Sequence, residues 1–164
     1  MLCSSTGSAT SWHTWSVGIR LWRWLFIDLD RFKQVNDTFG HNAGDVLLVG
    51  VAERIQAAIR ACDVAARFGG DGFAVMLRGA VSEEHMRDVS ARIIASLHQP
   101  FPVPGGTAGI DASIGIALVE GERVEAEQLL HRADVAMYQA KRTGRGRSVL
   151  FCADPISGFG MIGA

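Results

Sequence analysis

The sequence predicts an α+β domain with a mainly antiparallel central sheet flanked by helices, and three observations carry that prediction. Strand-like and helix-like stretches follow in the order β-α-α-β-β-α-β-α-β, which includes a tight hairpin and so departs from strict β-α alternation. The helical stretches place apolar residues on one face at i, i+3 and i+4 spacing. The chain has 164 residues, 48% of them apolar, a size suited to one domain that buries about 68–70% of its unfolded surface.

Leu21 to Asp28 is apolar and aromatic, as a central strand requires. Residues 31–39 form a short helical stretch stopped by Gly40. The polar segment His41-Asn-Ala-Gly44 reads as a loop, with Asp45 capping a longer helix whose inward face is Leu48, Val51, Ala52, Ile55 and Ile59. A hairpin follows, with arms Val64–Phe68 and Phe73–Leu77 and a Gly69-Gly-Asp-Gly72 turn. Ser82 caps the next helix, which runs to about His98 and buries Met86, Val89, Ile93 and Leu97. Pro100, Pro102, Pro104, Gly105 and Gly106 mark a loop. Ile110 to Val119 is a strand interrupted by Gly115. Glu122 to Arg142 is a helix with Leu129, Ala133, Ala136 and Ala140 inward, and Ser148 to Cys152 is a closing strand.

By composition the domain spans residues 21–152. Residues 1–20 are atypical, and all four tryptophans (Trp12, Trp15, Trp22, Trp24) fall between Trp12 and Trp24. Disorder and an ordinary irregular lead into the first strand both remain open readings for 1–20. Residues 153–164 read as a flexible tail. With 16 basic and 17 acidic side chains, nothing in the charge balance favours a nucleic-acid polymer as partner. Cys3, Cys62 and Cys152 are too scattered for a disulfide framework or a zinc cluster, which suits a reducing, cytoplasmic setting. The most apolar stretch, Trp12 to Leu29, is broken by Arg20, Arg23 and Asp28, so no membrane span is expected.

Gly158-Phe-Gly-Met-Ile-Gly163 matches a dinucleotide fingerprint, but no helix follows it and the match is set aside. Two other features can carry chemistry. Asp28 and Asp30 sit at i and i+2 near the end of an apolar strand and project to one side, an arrangement that suits a hard divalent cation. The alternative has Asp30 capping the next helix and Asp28 as a strand-end residue. The hairpin tip Gly69-Gly-Asp71 lets a backbone approach a ligand closely, and it is equally good hairpin chemistry. Neither feature decides the matter alone.

Taken together, Phe26-Ile-Asp-Leu-Asp-Arg-Phe-Lys-Gln-Val-Asn-Asp-Thr-Phe-Gly-His-Asn-Ala-Gly-Asp45 and Ala66-Arg-Phe-Gly-Gly-Asp-Gly-Phe73 closely resemble the GGDEF family of diguanylate cyclases. Ser113-Ile-Gly-Ile-Ala117 and Ala133-Asp-Val-Ala-Met-Tyr-Gln-Ala-Lys-Arg-Thr-Gly-Arg145 are similar to the family's later strand and last helix. The resemblance covers roughly residues 24–152 and implies a palm-like, nucleotide-cyclase-like fold with a ferredoxin-like core. It further implies that two domains meet, each holding one GTP, and that the two GTP become cyclic di-GMP and pyrophosphate.

Carried across by motif, Asp28 and Asp71 are the catalytic metal ligands and Leu29 adds a backbone carbonyl, with Mg²⁺ or Mn²⁺ as cofactor. Asn36 and Asp45 match the guanine contacts, an amide and a carboxylate being suited to that base's edge. Lys33, Lys141 and Arg145 match phosphate contacts. Leu48 lines the base pocket, and Gly69 and Gly70 leave room for phosphates. Arg142 and Arg147 read as a solvated helix end. Arg60-Ala-Cys-Asp63 stands where the family's inhibitory product-binding RxxD motif lies, with Arg87 or Arg92 as a third contact. The expected partners are GTP, cyclic di-GMP and either a second copy of the domain or a signalling protein.

The chain departs from the pattern at Gly72, which stands where the signature Gly-Gly-Asp-Glu-Phe has an acid. That loss predicts a weakened cyclase, with a catalytically inactive GTP- or cyclic di-GMP-binding module as the alternative. Nothing ahead of the first strand resembles the family's Asp-x-Leu-Thr-Gly-Leu-x-Asn-Arg stretch.

Overall fold

The structure, a computed structural model, describes residues 23–79, 81–118 and 126–151. The readings for 1–20, for 153–164, for the outer ends of the first strand and last helix, and for Cys152 lie outside the described residues. Strand β1 (Arg23–Asp30) is followed by helices α1 (Phe32–Phe39) and α2 (His41–Ala58). The hairpin β2 (Val64–Arg67) and β3 (Gly72–Leu77) leads to α3 (Glu83–Leu97). The short strands β4 (Phe101–Val103) and β5 (Gly106–Ala108) precede β6 (Asp111–Leu118), α4 (Ala126–Arg142) and β7 (Ser148–Leu150).

The main sheet has five strands in the order β2-β3-β1-β6-β7, all antiparallel neighbours except the parallel pair β6 and β7. It is the mainly antiparallel α+β architecture expected. Successive residues of a strand face opposite sides, so central β1 feeds two cores. Leu25, Ile27 and Leu29 are buried with Leu47, Val51 and Ile55 of α2 and with Met86, Val89, Ile93 and Leu97 of α3. On the opposite face, Phe26 packs with Ala74, Ala117 and Ala133, against Leu129, Leu130 and Met137 of α4. Asp28 and Asp30 share that second face by the same alternation. No helix among the described residues is long and apolar enough to cross a membrane.

Three local readings are corrected. Helix α2 begins at His41, so Asp45 is not its cap and His41–Gly44 is not a loop. Gly40, at φ +84°, takes a conformation open to glycine, closes α1 with its N–H on the Asn36 carbonyl, and accepts from the Ala43 and Gly44 N–H groups. One residue therefore serves both helices. The Pro-rich segment is a small hairpin rather than a loop, because Phe101 and Val103 point inward while Pro102 points out. Gly115 does not interrupt β6; it pairs with Phe26 on one side and Val149 on the other.

Gly115 is there because α4 lies on it. A Cβ at 115 would run into the Ala133 carbonyl and come within 2.9 Å of the Met137 backbone nitrogen. Backbone cannot yield as a side-chain tip can, so Gly115→Ala is expected to cost about 1–3 kcal/mol by overpacking. An unfolding free energy from urea titration lowered by that amount is the check. At the start of α3, Ser82 caps as expected, its side chain accepting from the His85 N–H at 3.2 Å.

Candidate functional site

The two β1 carboxylates have separate fates. Asp30 is 3% exposed and accepts from the Ser113 hydroxyl at 2.8 and 3.1 Å and from the Gly146 N–H at 3.4 Å. Arg145 Nε stands 3.6 Å from it. It caps nothing: α1 starts from Arg31, which has φ +67° and no side-chain cap. Asp30 thus ties the turn after α4 to β1, consistent with the rule that a buried carboxylate keeps hydrogen-bond partners.

Asp28 is half-buried, and Lys141 Nζ of α4 lies 2.7 Å from its Oδ2. Burial pushes its carboxyl above the ordinary range; Lys141 pulls it back, and the neighbouring Asp71 and Asp30 charges add to the rise. This is a position where added positive charge lowers the energy of the ionised form.

Asp71 reaches the same place through sheet register. Asp28 pairs with Gly72 across the β1–β3 ladder, and the Leu29 N–H meets the Asp71 carbonyl at 3.4 Å. Gly69 and Gly70 have φ of +70° and +43°, left-handed values that glycine tolerates best. Arg67 grips the bend, donating from Nε and Nη2 to the Gly70 carbonyl at 2.9 and 2.6 Å. Asp28, Asp71, Gly69 and Gly70 then line one open cavity of about 410 Å³, with Phe26, Leu130, Asp134 and Met137 among its walls. Gly72 also lines it, so the missing side chain leaves that wall bare.

Among the described residues no group of three or more His, Cys, Asp and Glu could hold a metal ion. The cavity offers the two carboxylates of Asp28 and Asp71. Hard oxygen donors in that number suit Mg²⁺, which is commonly held by one or two carboxylates and completed by water and substrate phosphates. The residues present therefore fit a cation that arrives with a phosphate group.

The α1–α2 turn carries the other candidates. Lys33 and Asp45 are exposed, Leu48 is buried and Asn36 is half-buried. Asn36 Oδ1 is a fully buried side-chain oxygen with no hydrogen-bond partner among the described residues. At the end of α4, Lys141 and Arg145 engage Asp28 and Asp30, while Arg142 lies over the Tyr138 ring at 5.8 Å.

Arg60 and Asp63 stand at the opposite end of β2 from the glycine bend. Asp63 is buried and accepts from the backbone N–H groups of Arg60 and Arg78, both at 3.0 Å. It holds a chain corner. The Arg60 guanidinium is exposed and lies 3.5 Å from His85 Nδ1. Arg92 donates to the Ala58 carbonyl at 3.0 and 2.8 Å, and Arg87 pairs with Glu83.

Sequence reasoning did not single out Arg67, Ser113, Asp134 or Gly44. Asp134 and Ser113 lay inside recognised motifs, and Gly44 was detectable as a glycine beside a helical stripe. Arg67 and Ser113 gave no signal of their hydrogen bonds, which depend on the folded turn and on a partner 83 residues away.

Residues 20–147 match the family described as diguanylate cyclase, GGDEF domain. Over 123 residues the chain is 46% identical to the diguanylate cyclase TpbB of Pseudomonas aeruginosa, covering 74% of this chain and 28% of that protein. Over 127 residues it is 44% identical to MucR, a bifunctional diguanylate cyclase/cyclic di-GMP phosphodiesterase of the same species, covering 77% and 18% respectively. The chain thus spans less than a third of the length of these relatives. Its fold is similar to the crystal structure of the TpbB GGDEF domain, with a TM-score of 0.76 at 43% identity, over 81% of this chain and 83% of that one.

Proposed function

This chain belongs to the diguanylate cyclase GGDEF domain family, and from that premise we propose that it binds GTP and joins two GTP molecules into cyclic di-GMP, at a rate held down by Gly72. The observation that carries the reading is the β1–β3 register, which puts Asp28 and Asp71 on the wall of one cavity. In this reading Asp28, Asp71 and the Leu29 carbonyl hold Mg²⁺ or Mn²⁺. The cation, when bound, supplies charge neutralisation at the phosphate oxygens.

The chain's own groups bind and orient. Asn36 and Asp45 read guanine, Leu48 backs the base, and Lys33, Lys141 and Arg145 face phosphates across the Gly69–Gly70 bend. Each domain holds one GTP, so the 3′-hydroxyl that attacks an α-phosphate comes from the nucleotide on a second copy, and pyrophosphate leaves. Proximity and alignment of two bound nucleotides supply much of such a rate enhancement. A homodimer is accordingly the proposed working form.

Gly72 favours a second reading, a domain that binds GTP or cyclic di-GMP and regulates a partner without turnover. Product binding at Arg60 and Asp63 fits either reading. Asp63 already accepts two backbone N–H groups, so the exposed Arg60 guanidinium is the stronger contact for a phosphate or a guanine edge. Incubation with GTP and Mg²⁺ or Mn²⁺, with chromatography of the products and calorimetry on the same preparation, separates these readings. Cyclic di-GMP is the expected product. Binding without product selects the regulatory module, and neither binding nor product rejects both.

A further inference from the structure

The base end of the site contains an orphaned atom next to an absence. Asn36 Oδ1 is buried without a hydrogen-bond partner among the described residues, an arrangement rare enough in folded proteins to require a reason. That oxygen lies against the bare Cα side of Gly44, in the first turns of α2. A Cβ built on Gly44 would overlap Asn36 Oδ1 and come within 3.0 Å of Asn36 Cγ and 3.2 Å of Phe32 Cζ. Gly44 has no positive φ, so backbone conformation does not call for glycine here. Helix propensity favours alanine at the same place. The cost of keeping glycine is therefore borne for space.

We propose that Gly44 is a positioning residue for base recognition: its missing side chain forms the seat that holds the Asn36 amide in one orientation. With the oxygen lodged against Gly44, the amide nitrogen is directed away from it as a donor. The neighbouring Asp45 carboxylate, exposed on α2, is acceptor-only when ionised. An ionised carboxylate beside an amide N–H donor matches guanine, whose adjacent N1–H and N2–H₂ give the carboxylate two donors next to the O6 and N3 acceptors. Adenine has no ring N–H on that edge and would turn the N1 lone pair toward the carboxylate. The inference rests on the reading of Asn36 as a guanine contact given above.

Gly44→Ala tests it, because the group displaced is the tip of a side chain able to rotate. The variant is expected to fold with an unchanged or higher melting temperature. It should bind GTP about tenfold more weakly, the equivalent of one lost hydrogen bond, and lose its preference for GTP over ATP. Asn36→Ala should do the same, and the double variant should lose no more than either alone. In melting experiments Gly44→Ala should raise the midpoint more in the Asn36→Ala background than in the wild type, since the amide no longer opposes the new methyl. Full GTP affinity and selectivity in Gly44→Ala, or strictly additive effects in either cycle, overturns the proposal. Wild-type protein that binds no GTP overturns the functional reading and with it the base-positioning role, while the melting cycle still reports separately on the seat.

Discussion

Gly72→Glu is expected to raise the rate of cyclic di-GMP formation by about two orders of magnitude, the scale on which single charge-stabilising groups act in a transition state. Position 72 pairs with Asp28 in the ladder and lines the cavity that Asp28 and Asp71 share. A carboxylate introduced there joins two existing oxygen donors without disturbing the proposed guanine contacts on α1 and α2. The substitution has one steric cost. A Cβ at 72 lies 3.0 Å from the Phe68 carbonyl and 3.4 Å from that of Gly69, so the bend must open by a few tenths of an ångström. Gly69 and Gly70 give the bend the freedom to do so. Gly72→Ala carries the same steric cost with no carboxylate and should bring no gain in rate. Initial rates for the three proteins at saturating Mg²⁺ decide the point. A rate for Gly72→Glu no higher than for Gly72→Ala rejects the metal argument.

Asp71→Asn is expected to abolish measurable turnover, a loss of about 10²–10³-fold or more, while leaving GTP binding through the base largely intact. The charge of Asp71 is one of the causes that raise the Asp28 carboxyl above its ordinary range. Removing it relieves a like-charge repulsion, so the fold should lose little stability even as affinity for a divalent cation falls. Titration of Mn²⁺ into the variant and into the wild type, with melting curves of both, separates loss of the ion from loss of the fold. Mn²⁺ binding unchanged in Asp71→Asn would remove this residue from the cation site.

The periodicities of the chain made most of the fold legible in advance. The apolar and aromatic run of β1, the glycine bend between β2 and β3 and the apolar stripes of α2 and α3 are local patterns, and each formed the element expected. Legibility failed where one residue served two elements or where packing overrode composition. Gly40 starts α2 four residues ahead of its expected cap because its carbonyl accepts the new helix's first N–H groups. The prolines after α3 did not prevent pairing, because only Pro102 lies within a strand of that small hairpin and its side chain faces out.

The candidate site divides along the same line. Spacing alone put Asp28 and Asp30 under suspicion, since i and i+2 on a strand share a face whatever follows, and the glycine bend together with the family resemblance added Asp71. Which acid stays open was decided by contacts from distant parts of the chain: Ser113 and Gly146 occupy Asp30, whereas Lys141 meets Asp28 at the cavity. The need for glycine at 44 and 115 likewise came from a neighbour, an amide in one case and a helix backbone in the other. Sequence by itself determined the elements and the kinds of group available, because both follow from local geometry and chemistry. Only the tertiary structure decided which groups are engaged and which are open to a ligand, because burial and hydrogen-bond pairing depend on residues far apart along the chain.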